Sequence, residues 1–274
     1  MSIELPPGTA AYSKRNPPPQ NRQLLVFLGW FIGTVITIVW VAGWIASSLV
    51  WWIPPRVEQQ LGQVIVPTYE ALAQPSATQE SLNTLLDRLE AHLSDDLHAG
   101  RDYQVLYIPD ETVNAIAIPG DRVIIYQGLL QEMDSENELM MVLGHELGHF
   151  ANRDHLRGLS RRLAVQLVLA TVLGDAGSIG AIASSATSIV ANAQFSQQQE
   201  YQADEIGLQL LHQEYGQVAG ATDFFAELAQ KQGVDLAILA THPASAKRVQ
   251  RLEQLIQKNG YEIGERSPLP GSLK

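Results

Sequence analysis

The sequence predicts a mostly helical α+β domain carried behind a single membrane-spanning helix. Three observations lead there. The run from Leu24 to Ile53 contains no charged side chain, and it exceeds the roughly 20 residues needed to cross a bilayer. Three short runs, Tyr103 to Ile108, Ala115 to Ile118 and Arg122 to Tyr126, read as strands of a small sheet broken by Pro109-Asp110 and Pro119-Gly120. Around them, apolar residues recur at helical spacing. A length of 274 residues with 46% hydrophobic side chains accommodates one substantial domain plus an anchor.

Residues 1–23 hold Pro6, Pro7 and Pro17 to Pro19 with little apolar content, and are expected to form a short disordered tail. Residues 24–53 form the expected anchor. A cleaved signal would have an apolar core of only about 7 to 15 residues. Trp51 and Trp52, ahead of Pro54-Pro55, suit an interfacial aromatic belt, as does Trp30 less clearly. Lys14, Arg15 and Arg22 precede the span against one acid, Glu4, so the positive-inside rule places the N-terminus in the cytoplasm and the domain on the extracytoplasmic, periplasmic side. Membrane lipid is thereby a partner through this one helix. All but three of the 18 basic and all but one of the 29 acidic residues lie beyond the anchor, which argues against nucleic acid as a partner. The absence of cysteine excludes disulfides and thiolate ligands.

The domain is expected over residues 54–264, with a flexible tail over 265–274. Val57 to Gln74 and Gln79 to Leu97 read as helices, and Leu82, Leu85, Leu86, Leu89 and Leu93 read as core. Further helices are expected over Asp204 to Gln213, Gln217 to Gln232 and Ala244 to Lys258. A second apolar stretch, Leu163 to Ala193, is interrupted by Asp175 and by Gly174, Gly177 and Gly180, leaving Leu163 to Leu173 too short to cross. It is expected to be a hairpin of small residues over the central helix. A sheet with an open edge beside that helix would bind an extended polypeptide by strand addition, and Asn114 and Ala115 open the strand expected to provide the edge.

The chemistry concentrates in His145-Glu146-Leu147-Gly148-His149. Two imidazoles four residues apart on a helix point the same way and can close on one zinc ion, while Glu146 sits one residue round, where its carboxylate can hold the attacking water. Asp134 to Glu138 looks like the start of that helix, with Ser135 and Glu138 spaced as a capping box. Hydrolysis needs a third protein ligand. Glu200 and Asp204 lie four apart on one helical face. That spacing would let a glutamate coordinate zinc and an aspartate one turn on accept the N–H of a ligating histidine, or else belong to a solvated acidic face. The apolar surroundings of Asp204, from Ala203 to Leu211, favour a buried Asp204 that needs a partner.

The segment Asn114 to Gly120, then Gly128-Leu129-Leu130, then Glu138 through His149, then Glu200 to Asp204, then Thr241-His242-Pro243 with Arg248, resembles the HtpX and CAAX prenyl protease family of gluzincin zinc metallopeptidases. The likeness is greatest to its single-anchor, BepA- and Oma-type branch and covers roughly residues 56 to 256. The resemblance implies a zincin-like fold, one Zn2+ per chain held by His145, His149 and Glu200, Glu146 as catalytic base, and Asp204 as partner of a ligating histidine. The family often carries an arginine shortly before the glutamate ligand, where this chain has Gln197 to Gln199. The resemblance further implies endopeptidase activity on unfolded or envelope polypeptides in protein quality control. The alternative is a zinc-holding, chaperone-like factor without proteolysis, which loss of Glu146 would have signalled. His242 reads locally as a helix-boundary residue before Pro243. The resemblance implies a cleft role instead, either as a hydrogen-bond donor to the developing oxyanion or in the open metal position of a resting state, with Arg248 orienting it or the substrate. His92, His98 and His212 read as surface residues, and His155 as a structural residue closing the metal helix.

Overall fold

The computed structural model describes residues 21–173, 189, 193–231, 236–243 and 246–274. Helix α1 spans Asn21–Leu49 and passes into a 3-10 turn over Val50–Trp52. It therefore starts three residues earlier than expected and takes up Asn21 to Gln23, while residues 1–20 of the expected tail lie outside the described residues. The large apolar side chains of α1 are exposed round most of the helix, Trp30 at 74% and Phe27 at 68%. Only a stripe at helical spacing, Val35, Val39, Ala42, Gly43, Ala46 and Ser47, is shielded. That stripe lies along α7, Asp154–Leu173.

Helix α2 (Pro55–Glu70) opens with proline at its first position, where no backbone N–H is needed. The next expected helix divides into α3 (Ala77–Glu90), capped by the Ser76 hydroxyl accepting from Gln79 N–H at 3.2 Å, and a single turn α4 (Asp95–His98). Leu82, Leu85, Leu86 and Leu89 are core residues, each at most 3% exposed.

The sheet has the order β1-β3-β2, with β1 (Gln104–Ile108) parallel to β3 (Arg122–Tyr126) and β2 (Ala115–Ile118) antiparallel to it. Alternation sends Val105, Ala115, Ala117, Val123 and Ile125 into one core with α3 and α6, and Leu106, Ile108, Ile116, Ile118 and Ile124 into a second with α2 and α7. Both faces are thus covered. The β2–β3 turn places Gly120 at φ 94° and Asp121 at φ 58°. A side chain at Gly120 would also collide with Gly62 of α2, at 2.8 Å from its Cα.

A short α5 (Gln127–Gln131) leads to α6, Glu136–Ala151. Ser135 caps α6 by accepting from Glu138 N–H at 3.3 Å, but the Glu138 carboxylate reaches back to Asp134 N–H at 2.8 Å rather than closing the expected box. Of the hairpin expected over Leu163 to Ala193, the first part continues α7 and most of the remainder lies outside the described residues. Helix α8 (Gln197–Tyr215) carries a complete capping box between Ser196 and Gln199. Helices α9 (Asp223–Gln230), α10 (Ala237–Thr241) and α11 (Ala246–Asn259) follow. The helix expected over Gln217 to Gln232 is thus reduced to α9, and residues 244–245 of the last expected helix lie outside the described residues.

The flexible tail expected over 265–274 is docked instead. Leu269 and Leu273 are buried in the main core, Ser267 O accepts from Glu136 N–H at 2.9 Å, and Ser272 bonds Ser81 at 2.6 Å. On the anchor side, Glu58, Arg101, Asp121 and His155 form a second buried polar cluster. Glu58 accepts from Arg101 at 2.7 and 3.1 Å and meets His155 Nε2 at 2.6 Å. Burial would raise the Glu58 carboxyl, but His155 and Arg101 outweigh it and hold it down at about 2.

Candidate metal centre

Helices α6 and α8 cross at backbone contact, and glycine permits it. A Cβ on Gly148 would stand 2.7 Å from Ala203 Cα, one on Gly144 would stand 3.0 Å from Gly207 Cα, and one on Gly207 would stand 2.9 Å from His145 N. Gly144 and Gly148 on one helix, and Ala203 and Gly207 on the other, are each four apart, so each pair lies on one face. Alongside this seam, His145 and His149 on α6 face Glu200 and Asp204 on α8. Pro243, following α10, leaves His242 beside them.

Nε2 of His145 and Nε2 of His149 lie 3.1 Å apart. Glu200 oxygens stand 3.6 Å from the first and 3.4 Å from the second. His242 Nδ1 is 3.2 Å from both His145 Nε2 and Glu200 Oε1. Among the described residues, His145, His149, Glu200 and His242 form a group able to hold one metal ion, with one ligand atom from each within 4.8 Å of the others. All four are buried.

The other nitrogen of each α6 histidine is committed. His145 Nδ1 donates to Asp204 Oδ1 at 2.9 Å, and His149 Nδ1 donates to Asp154 Oδ2 at 3.0 Å, since an ionised carboxylate can only accept. Neutral rings held in this tautomer present lone pairs, not protons, at their Nε2 atoms. Two lone pairs facing each other at 3.1 Å beside a carboxylate repel unless a cation lies between them. The spacing fits tetrahedral zinc, in which metal–nitrogen distances of about 2.0–2.1 Å put neighbouring donors roughly 3.3 Å apart. The donor set, imidazoles and a carboxylate without thiolate, also suits zinc.

The electrostatics agree with a cation site. Burial would raise Glu200, but His242 and Arg248 outweigh it and hold the carboxyl well below the usual carboxylate range. Burial likewise would raise Asp204, which Arg248 and His145 lower. Burial depresses His145, favouring its neutral form. Without a metal, burial would depress His149 as well, but Asp154 and Glu200 lift it to about 10, so positive charge is favoured at this point.

The structure places the remaining sequence candidates as follows. Glu146 is 1% exposed, with Oε1 3.6 Å from His242 Nε2, and its Oε2 has no hydrogen-bond partner. Arg248 donates through Nη1 to Pro243 O, next to His242, at 3.4 Å. Its guanidinium grips Asp204 through Nε at 2.9 Å and Nη2 at 2.7 Å, contacts Glu200 through Nη1, and lies over the Phe225 ring. Asn114 and Ala115 are also buried. Asn114 Oδ1 accepts from Ala115 N–H and Thr241 Oγ1, and all four residues of β2, the edge strand, are at most 3% exposed. His155 is away from the group, on Glu58.

The sequence reading missed Asp154. It begins α7 only five residues after His149, and the intervening Arg153 takes a left-handed φ of 54° to turn the chain back. Gln199 Nε2 donates to the other Asp154 oxygen at 2.7 Å, tying α7 to α8. Phe195 was also missed. Its ring stacks on His149 at 3.9 Å between centroids and 17° between planes, closing the site from that side. An acidic residue a few positions beyond the second histidine was a legible signal for Asp154, whereas Phe195 offered none.

Comparisons with known proteins follow this geometry. The sequence model of peptidase family M48 matches residues 76–256. The chain is 32% identical over 166 residues to the metalloprotease LoiP of Escherichia coli (strain K12), covering 59% of this chain and 65% of that protein. It is 30% identical over 170 residues to the mitochondrial metalloendopeptidase OMA1 of Arabidopsis thaliana, covering 60% and 34%. Against the beta-barrel assembly-enhancing protease of Yersinia pestis it is 28% identical over 184 residues, covering 61% and 37%. The chain thus spans between about a third and two thirds of these relatives' lengths. The family match reaches from the end of the turn before α3 into the last turns of α11 and takes in every residue of the metal group, and on that extent the chain belongs to peptidase family M48.

Proposed function

We propose that the chain is a membrane-anchored zinc endopeptidase in which His145, His149 and Glu200 hold the metal and Glu146 is the catalytic base. The observation that carries this reading is the pair of α6 imidazoles, each locked by a carboxylate at Nδ1 and presenting Nε2 lone pairs to one point beside Glu200. Zinc, when bound, supplies Lewis-acid polarisation of the scissile carbonyl and acidifies water. The side chains do the rest. Asp204 and Asp154 fix the two histidine tautomers, and Arg248 keeps Asp204 and Glu200 ionised. Glu146, whose buried Oε2 has no hydrogen-bond partner among the described residues, takes the proton of the attacking water and delivers it to the leaving amine nitrogen.

His242 completes a four-donor group through Nδ1, which supports the resting-state reading over the oxyanion reading. Rotation of that ring out of the group would open the position that hydrolysis needs, and Phe195 beside it would have to move with it to admit a polypeptide. The names of the relatives, a mitochondrial metalloendopeptidase and a beta-barrel assembly-enhancing protease, support membrane-proximal polypeptides as substrates and a role in protein quality control. Helix α1, apolar and exposed, supports the anchor. The excess of basic residues before it supports an N-terminus in the cytoplasm and a domain on the opposite side.

The test is casein digestion by the purified full chain with and without chelator, alongside Glu146→Gln. The variant is expected to retain one zinc per chain by elemental analysis and to lose about 100-fold or more of its turnover. Chelator-resistant digestion, or full digestion by the variant, would sink the assignment, and stoichiometric zinc without any digestion would favour the chaperone-like alternative.

A further inference from the structure

Three consecutive residues after the metal helix reach three different parts of the molecule. Arg153 Nη1 donates to Val50 O at 2.8 Å and to Ile53 O at 2.6 Å, where α1 and its 3-10 turn end. Asp154 accepts from His149 Nδ1 at 3.0 Å. His155 meets Glu58 of α2 at 2.6 Å. The proteolytic chemistry uses only the second of these contacts, yet the first ties helix α1 to the residue directly before it.

The backbone makes that contact matter. Helix α6 ends at Ala151, Asn152 is still right-handed as its C-cap, and α7 begins at Asp154. Arg153 makes the reversal between them at φ 54°, a left-handed conformation that glycine or asparagine ordinarily supplies after a helix and that strains a residue with a Cβ. Such a residue persists where its surroundings hold it. Arg153 N–H donates to Phe150 O at 2.9 Å and its carbonyl accepts from Arg157 N–H at 3.0 Å, while its guanidinium is seated on the carbonyls that follow α1. Those carbonyls lie where a helix runs out of internal partners and carries partial negative charge, so a guanidinium answers them in hydrogen bonding and in charge. Val50 is fully buried and its turn packs on α7. The seat is therefore a packed part of the domain.

We propose that Arg153 is a positioning residue for the metal: seated on the end of α1, it holds the turn that aims Asp154 at His149. Helix α1 then contributes to the metal centre as well as carrying the domain. Gln199 holds the other Asp154 oxygen from α8 at 2.7 Å, so the carboxylate is fixed at its tip by α8 and at its backbone by the Arg153 turn. A slack turn lets that carboxylate drift, and His149 Nε2 loses its aim as a ligand. His155 does not share the role, because it lies inside α7, whose own backbone hydrogen bonds hold it. The inference rests on the zinc reading of the site and is independent of whether α1 crosses a membrane.

The experiment is a competitive chelator titration of zinc in full chains carrying Glu146→Gln, purified in detergent micelles. Arg153→Met keeps the stem and removes the donors, and should weaken zinc binding about three to tenfold, short of the loss of the carboxylate itself. Arg153→Lys keeps a cation able to donate to the same carbonyls and should stay within about twofold of the parent. Arg153→Gly separates the seat from the backbone, because glycine takes the left-handed conformation freely. It should bind zinc as weakly as Arg153→Met. A double-mutant cycle supplies a readout that a merely structural role would not move. Arg153→Met should add less than about twofold to Asp154→Asn, through which it acts, but its full factor to Asp204→Asn, which acts through His145. Val50→Ala loosens the seat from the α1 side, and should lower affinity in the parent but no further in the Arg153→Met chain. Parental affinity in Arg153→Met or Arg153→Gly, a lysine variant as weak as the methionine one, or full additivity with Asp154→Asn overturns the proposal. A parent chain that takes up no zinc loses the zinc reading and this proposal together, whereas a parent with one zinc per chain and unaltered variants loses only the proposal.

Discussion

The metal centre and the anchor-side cluster are built from the same kinds of residue and buried to the same degree, yet they differ in how their charges are answered. In the anchor-side cluster Glu58 receives Arg101 and His155 directly, and Arg101 also reaches Asp121. In the metal centre Asp204 and Asp154 are answered in the same way, but the nitrogens beyond them are turned toward one another and toward Glu200, where positive charge is favoured. The first arrangement is complete as it stands and reads as structural. The second draws positive charge to its centre, from a metal ion or from the proton that His149 holds up to about 10 without one, and that difference separates His155 from His149, although both are buried histidines against carboxylates.

The largest effect is expected where the two helices of the metal centre meet. Gly148→Val puts three carbons where even one would stand 2.7 Å from Ala203 Cα. It should force α6 and α8 apart, cost about 3 kcal/mol or more, and leave the protein without zinc on elemental analysis. Stoichiometric zinc in this variant would show that the seam does not set the ligand geometry.

Next in size is the anchor-side cluster. Glu58→Gln removes the carboxylate that answers Arg101 and His155, and breaking such a buried pair costs on the order of 3–5 kcal/mol. Chemical denaturation should show that loss while the zinc affinity of the folded protein stays within about twofold of the parent. A proportionate loss of zinc affinity would erase the distinction between the two clusters.

Much of this was legible in the sequence, and the gaps have physical causes. The His145–His149 pair, Glu146, and the Glu200–Asp204 spacing are local patterns on single helices, and the structure brings all five together. The three strands were legible because β-branched residues stand between proline and glycine breaks. The docking of residues 265–274 was not, because Leu269 and Leu273 are two isolated apolar residues in a polar stretch and gain their burial only from α3 and the start of α6. The burial of β2 was equally hidden, since cover on both sheet faces depends on helices arriving from distant parts of the chain. The seam of Gly144, Gly148, Ala203 and Gly207 was readable as small residues four apart. It acquires meaning only when two helices are known to cross there.

Acid sharpens the comparison in a different way. Glu58 is held down at about 2 in the folded chain against an ordinary value of 4.5, so its contribution is present above about pH 4.5 and lost as pH falls toward 2. The full loss is on the order of 3 kcal/mol. Zinc binding instead requires unprotonated imidazoles and should weaken at milder acidity. Zinc release on lowering the pH from 7 toward 5 should therefore precede loss of helical circular dichroism. Simultaneous loss of zinc and fold across that window would mean that the anchor-side cluster does not support the apo domain independently.

The smallest expected effects distinguish the two carboxylates inside the metal centre. Asp154→Asn and Asp204→Asn each retain shape but replace a carboxylate that fixes a histidine tautomer, a change that typically weakens metal binding about 10 to 100-fold. They should not be equal. Asp154 is answered by His149 and Gln199, with Arg157 only at 3.4 Å, so its loss leaves little uncompensated charge near the metal. Asp204 shares its charge between His145 and a bidentate Arg248 that is 1% exposed. Neutralising it leaves that guanidinium facing Glu200 and the cation site with half its counter-charge gone. Asp204→Asn should therefore fall toward the 100-fold end and Asp154→Asn toward the 10-fold end in competitive chelator titrations. Pairing Asp204→Asn with Arg248→Met should recover part of the deficit, because the unanswered cation is removed along with its partner. An equal deficit in the two single variants, or no recovery in the double, would mean that Arg248 holds helix α11 to α8 without tuning the charge at the metal.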